Sequence, residues 1–168
     1  MGEPSLLLSF VGNRGLRVEH SEDFCPVLSL LQARPFDWVI LFCTGADYLE
    51  RSKMVEELCR GFGCAASFRQ VSLELESPID YAEILRKLGG LLQELRPELQ
   101  GARLSVLQDP GTPQLQTAWL LCPGDPRGAA HLRAYHDREE IGPRMLARIR
   151  SIQDSAPKTF DLIAKLRH

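Results

Sequence analysis

The chain has 168 residues, 44% hydrophobic and 25% charged, enough for one domain with a real core and too few for two of ordinary size. This composition excludes a fibrous or disordered chain, and a formal net charge of -2 argues against the dense cationic face that holds duplex DNA. No apolar run approaches the roughly 20 residues that cross a bilayer. An odd set of cysteines (Cys25, Cys43, Cys59, Cys64, Cys122), with no basic-then-apolar leader ahead of them, reads as reduced thiols in a cytoplasm.

In chain order, Ser5–Val11 is an apolar run that ends in Gly12-Asn13-Arg14-Gly15, the pattern of a buried strand delivering a tight loop. A helix is expected around Phe24–Ala33. Trp38–Cys43 is continuously apolar, as a parallel strand covered on both faces is, and it leads through Thr44-Gly45-Ala46 to a helical spacing over Tyr48–Arg60. Phe68–Leu75 alternates like a strand nearer a sheet edge. A helix follows, with Ser77 expected as N-cap, Pro78 at its first position and Pro97 as its stop. Arg103–Leu107 is a fourth short strand, followed by Asp109-Pro110-Gly111 and by Thr112 capping a helix that opens on Pro113.

Four strand–loop–helix units imply parallel strands joined by right-handed crossovers, hence an α/β, Rossmann-like, doubly wound and mainly parallel sheet. The expected organisation is a core over residues 1–122, a turn-rich link with a further strand at His131–His136 within 123–138, and C-terminal helices over 139–168, at Glu139–Gln153 and Thr159–Arg167. The tail is the basic part: residues 127–168 hold 9 Lys and Arg against 5 Asp and Glu, whereas residues 1–126 hold 11 against 17.

In such sheets ligands bind beyond the carboxyl ends of the strands, where strand order reverses. If the first and fourth strands are neighbours there, Val11–Gly15 and Asp109–Gln114 face each other as one phosphate- or nucleotide-binding site, with Thr44 and Gly45 beside it. Glycines let backbone N–H groups approach an anion, Thr112 adds a hydroxyl, the following helix presents a positive end, and Arg14 supplies charge. Tyr48 is the candidate for stacking on a base. The alternative is that these are plain tight turns with a capped helix.

Neither G-x-G-x-x-G nor a P-loop is present, so ordinary NAD or ATP chemistry has no support, and no cofactor is expected. Cys59 and Cys64 with His131 and His136 offer four zinc-type ligands, but their spacing is wider than a zinc knuckle and Cys59 falls on a core-facing helix position, so no metal is expected. Cys43 reads as a core thiol rather than a nucleophile, Trp38, Trp119, Phe10 and Phe42 as core, and Glu56-Glu57 as a solvated helix face.

The segments LLLSFVGNRG, VILFCTGADYLER, VSLELESPIDYAEILRKL and LSVLQDPGTPQLQTAWLLC, in this order over residues 5–122, resemble the CRISPR-associated Rossmann fold (CARF) sensor domains. The likeness is strongest to the version at the N-terminus of RtcR-type RNA-repair regulators, and the GTPQ loop is its most specific piece. The resemblance implies a homodimer whose two-fold axis crosses the loops at the strand ends and forms a joint pocket for cyclic oligoadenylate or a related short RNA. Matched onto this chain, its binding residues are Gly12, Asn13 and Arg14, then Thr44 and Gly45, then Asp109, Gly111, Thr112, Pro113 and Gln114. Related proteins carry a fused effector, and this chain has only about 46 residues after Cys122, so it is a stand-alone protein or the sensor part of a longer one.

Three functions follow as expectations. The first is a binding module that signals to an effector or partner. The second is a metal-independent ring nuclease, in which Asn13, Arg14 and Thr112 are the catalytic candidates for attack of a ribose 2′-OH on the adjacent phosphate. The third is a structural interaction protein with empty loops. Asp109 is the only carboxylate in these loops, and without a convincing general base binding is favoured over cleavage.

Overall fold

A computed structural model describes residues 2–12, 25–121, 133–136 and 138–141. Strands β1 (Ser5–Phe10), β2 (Trp38–Cys43), β3 (Ser67–Ser72), β4 (Arg103–Leu107), β5 (Arg133–His136) and β6 (Glu139–Glu140) form one sheet in the order β3-β2-β1-β4-β5-β6. Every neighbouring pair is parallel except β5 and β6. This is the doubly wound, mainly parallel α/β architecture expected from the alternating units.

The central strands are apolar on both faces because both faces are covered. Leu6, Leu8, Phe10, Ile40, Phe42, Leu104 and Val106 pack on one side, under α3 (Tyr81–Glu94), the short α4 (Arg96–Leu99) and α5 (Pro113–Leu121). Leu7, Val39, Leu41, Cys43 and Leu107 pack on the other, against α1 (Pro26–Ala33) and α2 (Ala46–Gly61). Right-handed crossovers running outward in opposite directions from β1 put their helices on opposite faces. Strand β3 stands at the edge and alternates exposed with half-buried residues. Beyond its end, the Leu73 N–H still donates to the Cys43 carbonyl at 2.7 Å and the Leu73 side chain is buried.

Trp119 on α5 anchors its helix over the carboxyl ends of β1 and β2, with ring centres 4.8 Å from Phe10 and 5.2 Å from Phe42. Trp38, expected in the core, is instead 48% exposed. It is the first residue of β2, at the amino-terminal rim of the sheet, where its place at the end of an apolar run no longer implies a covering helix.

Helix α3 begins later than its Ser-Pro signal suggests. Asp80, not Ser77, is the N-cap, and its Oδ1 accepts the Glu83 N–H at 3.3 Å. Glu83 reaches back in turn: its Oε1 accepts the Glu76 N–H at 2.7 Å and its Oε2 the Ser77 N–H at 3.1 Å. This reciprocal arrangement is a capping box extended into the preceding turn, and it outcompetes a lone serine cap because it satisfies three backbone donors. Pro97 does not simply stop α3; it sits in the first turn of α4, where a proline lacks no hydrogen bond.

Strand β5 falls where a further strand is expected. The segment opening at Glu139, expected as a helix, begins instead as β6, with Tyr135 opposite Glu140 and the Ile141 N–H donating to the Ala134 carbonyl at 2.8 Å. The open edge of β5 offers unpaired backbone groups that a returning chain satisfies at once. The remainder of that expected helix and the one at Thr159–Arg167 lie outside the described residues.

Candidate functional site

The strand order reverses between β1 and β4, and there the expected crevice opens. Gly12, two residues past β1, lies against the β4–α5 loop: a Cβ on it would stand 3.4 Å from Pro110 Cβ and 3.5 Å from Gly111 N. The two glycine-bearing loops are therefore in contact. A cavity of about 350 Å³ lies beside them, with Gly12, Asp109, Gly111, Thr112 and the Tyr48 ring around it and Val11, Leu41, Val55 and Leu115 beneath. Asp109 is the one carboxylate among its described lining residues.

The β4–α5 loop is held in shape by its own side chains. Gly111 has φ +101°, and a Cβ there would meet Leu115 Cδ1 at 2.9 Å, so glycine is required on both counts. Thr112 Oγ1 accepts the Leu115 N–H at 3.2 Å, capping α5, and donates to the Pro78 carbonyl at 2.6 Å, strapping the loop to the turn before α3. Gln116 Nε2 donates to the Asp109 carbonyl at 2.8 Å and to the Gly111 carbonyl at 3.3 Å. One first-turn donor of α5 is thus met by Thr112, and Pro113 has none to offer. The amino end of α5 is partly satisfied within the loop and is a weaker anion site than its sequence pattern implies.

On the β2 side, the Gly45 carbonyl accepts the N–H groups of Tyr48 at 3.1 Å and Leu49 at 3.3 Å, opening α2. The Gly45 backbone lies close under Tyr48, 3.7 Å from a would-be Cβ to Cδ2. Tyr48 reaches the cavity, whereas Thr44 and Gly45 stand beside it without lining it. Pro113 and Gln114 likewise flank it, and Gln114 Oε1 is buried with no hydrogen-bond partner among the described residues. Asn13 and Arg14 lie outside the described residues.

Sequence patterns missed three contributors. Cys25, Pro26 and Val27 bring the start of α1 to the cavity, Pro78 arrives from the far half of the sheet, and Gln116 lines the wall while clamping the loop. Gln116 had a usable signal, four residues after Thr112 and so on the same helix face. Pro78 had none, because its place depends on the crossover that returns the chain to β4. Burial pushes the Cys25 thiol up against the opposing pull of the Leu28 and Val27 N–H groups, so it faces the site as a neutral thiol.

Elsewhere, Cys43 and Cys59 are core thiols raised by burial. No group of three or more His, Cys, Asp or Glu placed to hold a metal occurs among the described residues, and His131 lies outside them. Glu56 is more than a solvated charge: it pairs with Arg60 at 2.5 Å and accepts from Gln70 Nε2 of β3 at 2.8 Å. No helix among the described residues is long and apolar enough to cross a membrane.

No protein-family model matches the sequence, and no curated protein matches it. Among solved structures 13 chains match. One is Enterococcus italicus Csm6 bound to cyclic hexa-2′-fluoro-hexa-dAMP, with a TM-score of 0.59 and 16% identity, covering 92% of this chain and 39% of that one. The present chain thus spans about two fifths of that protein's length. The likeness is one of fold: it agrees with the α/β, Rossmann-like architecture and does not test the RtcR-type resemblance.

Proposed function

We propose that this chain is a CARF-like sensor that binds cyclic oligoadenylate, or a related short RNA, at a homodimer interface and signals to an effector domain or partner. The observation that carries the reading is the cavity at the β1/β4 switch point, bounded by two touching glycine loops and a tyrosine ring. The fold it sits in is shared with a protein solved bound to a cyclic adenylate analogue. Backbone at Gly12 and Gly111 approaches phosphate closely, Tyr48 offers a ring for a base, and Asn13 and Arg14 supply amide and charge. Thr44, Gly45, Asp109, Thr112, Pro113 and Gln114 frame the loops that present them.

The cavity, about 350 Å³, lies at the small end of the roughly 300–1,000 Å³ of ligand pockets. It suits about one nucleotide, so a ring of several must extend over a second copy of the chain. That mismatch supports a pocket shared by two protomers. A single carboxylate, Asp109, on the described wall favours binding over cleavage.

The test is incubation with cyclic tetra- and hexa-adenylate, following both thermal unfolding and product. A ligand at a hundredfold excess over Kd stabilises by about 2.7 kcal/mol, a rise of roughly 5–10 °C in Tm at this size. Stabilisation with the ring recovered intact is expected. A linear product would turn the sensor into a ring nuclease, and neither shift nor product with either ring would overturn both.

A further inference from the structure

A second cavity, of about 140 Å³, lies at the opposite end of the sheet, where β1, β4 and β5 begin and α1 ends. Among the described residues its walls hold three arginines, Arg34, Arg103 and Arg133, and no carboxylate. The register explains their convergence. Ser5 is opposite Arg103 and Ser105 opposite Arg133, and residues two apart on a strand share a face. Arg103, Ser105 and Arg133 therefore stand on the face that carries Leu7, Leu107 and Tyr135. Helix α1 covers that face and ends at Ala33, which brings its C-cap, Arg34, to the same place. The Arg34 guanidinium lies 5.3 Å from the centre of the Tyr135 ring, which Phe36 meets edge-on at 6.2 Å, and this stacking fixes it.

Three arginines line so small a space, and among the described residues the chain compensates their charge only in part. Asp37 lies near Arg103, but its Oδ2 already accepts the Ser5 N–H at 2.7 Å and the Ser5 hydroxyl at 2.9 Å. Those bonds first, and Arg103 last, hold its carboxyl below the ordinary range. Glu140 approaches Arg133 only to 4.0 Å, with both side chains about half exposed. Neither carboxylate lines the cavity. Among the described residues Arg34 and Arg103 form no ion pair.

We propose that this cavity is a second binding site, specific for a phosphate-sized oxyanion, free or as the phosphate group of a small molecule. Arg103 and Arg133 grip it from adjacent strands, Arg34 closes it from α1, and Ser105 adds a hydroxyl. Guanidinium forks match the paired oxygens of phosphate. A volume of about 140 Å³ has room for a phosphate, and the exposed Arg34, Arg103 and Arg133 leave its mouth open to solvent, where the rest of a small molecule can lie. The site is separate from the crevice at the strands' carboxyl ends: six residues of extended chain from Arg103 to Asp109 span roughly 20 Å.

The test uses the full chain, titrated with inorganic phosphate and, separately, with chloride at matched ionic strength, following Tm and the heat of binding. A saturable rise with phosphate alone is expected. Arg103→Gln and Arg133→Gln should each weaken it at least about tenfold, the loss of one charge-assisted contact. Arg69→Gln, an exposed arginine of β3 paired with Glu98, should leave it unchanged. Pyrophosphate as a further arm separates the two sources: a response equal to that of phosphate supports a phosphate carried on a larger group, and none restricts the site to the single free ion. Should Arg103→Gln, at the start of a central strand, fail to fold, Arg34→Gln and Arg133→Gln decide. An equal response to chloride, or a wild-type phosphate response in the variants that fold, overturns the proposal. The cyclic adenylate response of Arg133→Gln is expected to match wild type, so failure of either site is visible without the other.

Discussion

Single positions at the crevice do more structural work than their residue types suggest. Gly111 combines φ +101° with a would-be Cβ only 2.9 Å from Leu115. Gly111→Ala should therefore lose about 1–3 kcal/mol in urea unfolding, and a neutral result would show that the loop relaxes freely. Thr112 both caps α5 and bonds the Pro78 carbonyl. Thr112→Ala should cost about 1–2 kcal/mol, with Thr112→Ser regaining most of it because the hydroxyl is kept. Such a loss with the adenylate response unchanged would identify Thr112 as a strap alone. Burial raises the thiols of Cys43 and Cys59, which should resist alkylation near pH 8 in the folded chain and react on unfolding. Fast labelling of the native protein would contradict their core placement.

At the scale of elements, the start of α3 governs acid stability. Glu83 is 6% exposed. Its carboxyl is lowered from the ordinary 4.5 to about 2, chiefly by the Glu76 N–H, with Lys87 and the Ser77 N–H adding to it against the opposing effect of burial. A group lowered on folding takes up its proton first in the unfolded chain, so its contribution is full above about pH 4.5 and is lost as pH falls towards 2. Unfolding followed between pH 6 and 2 should show that loss, and Glu83→Gln should be less stable at pH 6 but flatter over the acid range. Equal slopes in the two proteins would remove Glu83 from the account. The elements themselves were largely legible: β2 and β4 have the bounds their apolar runs indicate, and Thr112-Pro113 opens α5 as its pattern says. The start of α3 was not, because a serine before a proline is a local signal. The Asp80–Glu83 box prevailed by satisfying donors of the turn before it.

For the whole molecule, the order β3-β2-β1-β4-β5-β6 sets two cavities at opposite ends of the sheet. The carboxyl end holds the crevice of the proposed sensor and the amino end holds the arginine cavity. If the crevice is half of a shared pocket, light scattering should give the mass of two chains, and a cyclic adenylate should tighten that association. A strictly monomeric particle that nonetheless binds the ring would contradict the shared pocket while leaving the site in place.

The sequence alone determined the succession of strands and helices from β1 to α5, the short α4 apart, since hydrophobic period and turn chemistry are written in neighbouring residues. It also marked Gly12, Asp109, Gly111 and Thr112 as loop positions of interest. Only the tertiary structure decided that these loops touch, that Pro78 and Gln116 brace them, that Trp38 lies at a rim while Trp119 is buried, and that Arg34, Arg103 and Arg133 surround one cavity. Those facts depend on strand order and on which face each crossover covers. Both are set by burial between segments distant in the chain, which no local pattern records.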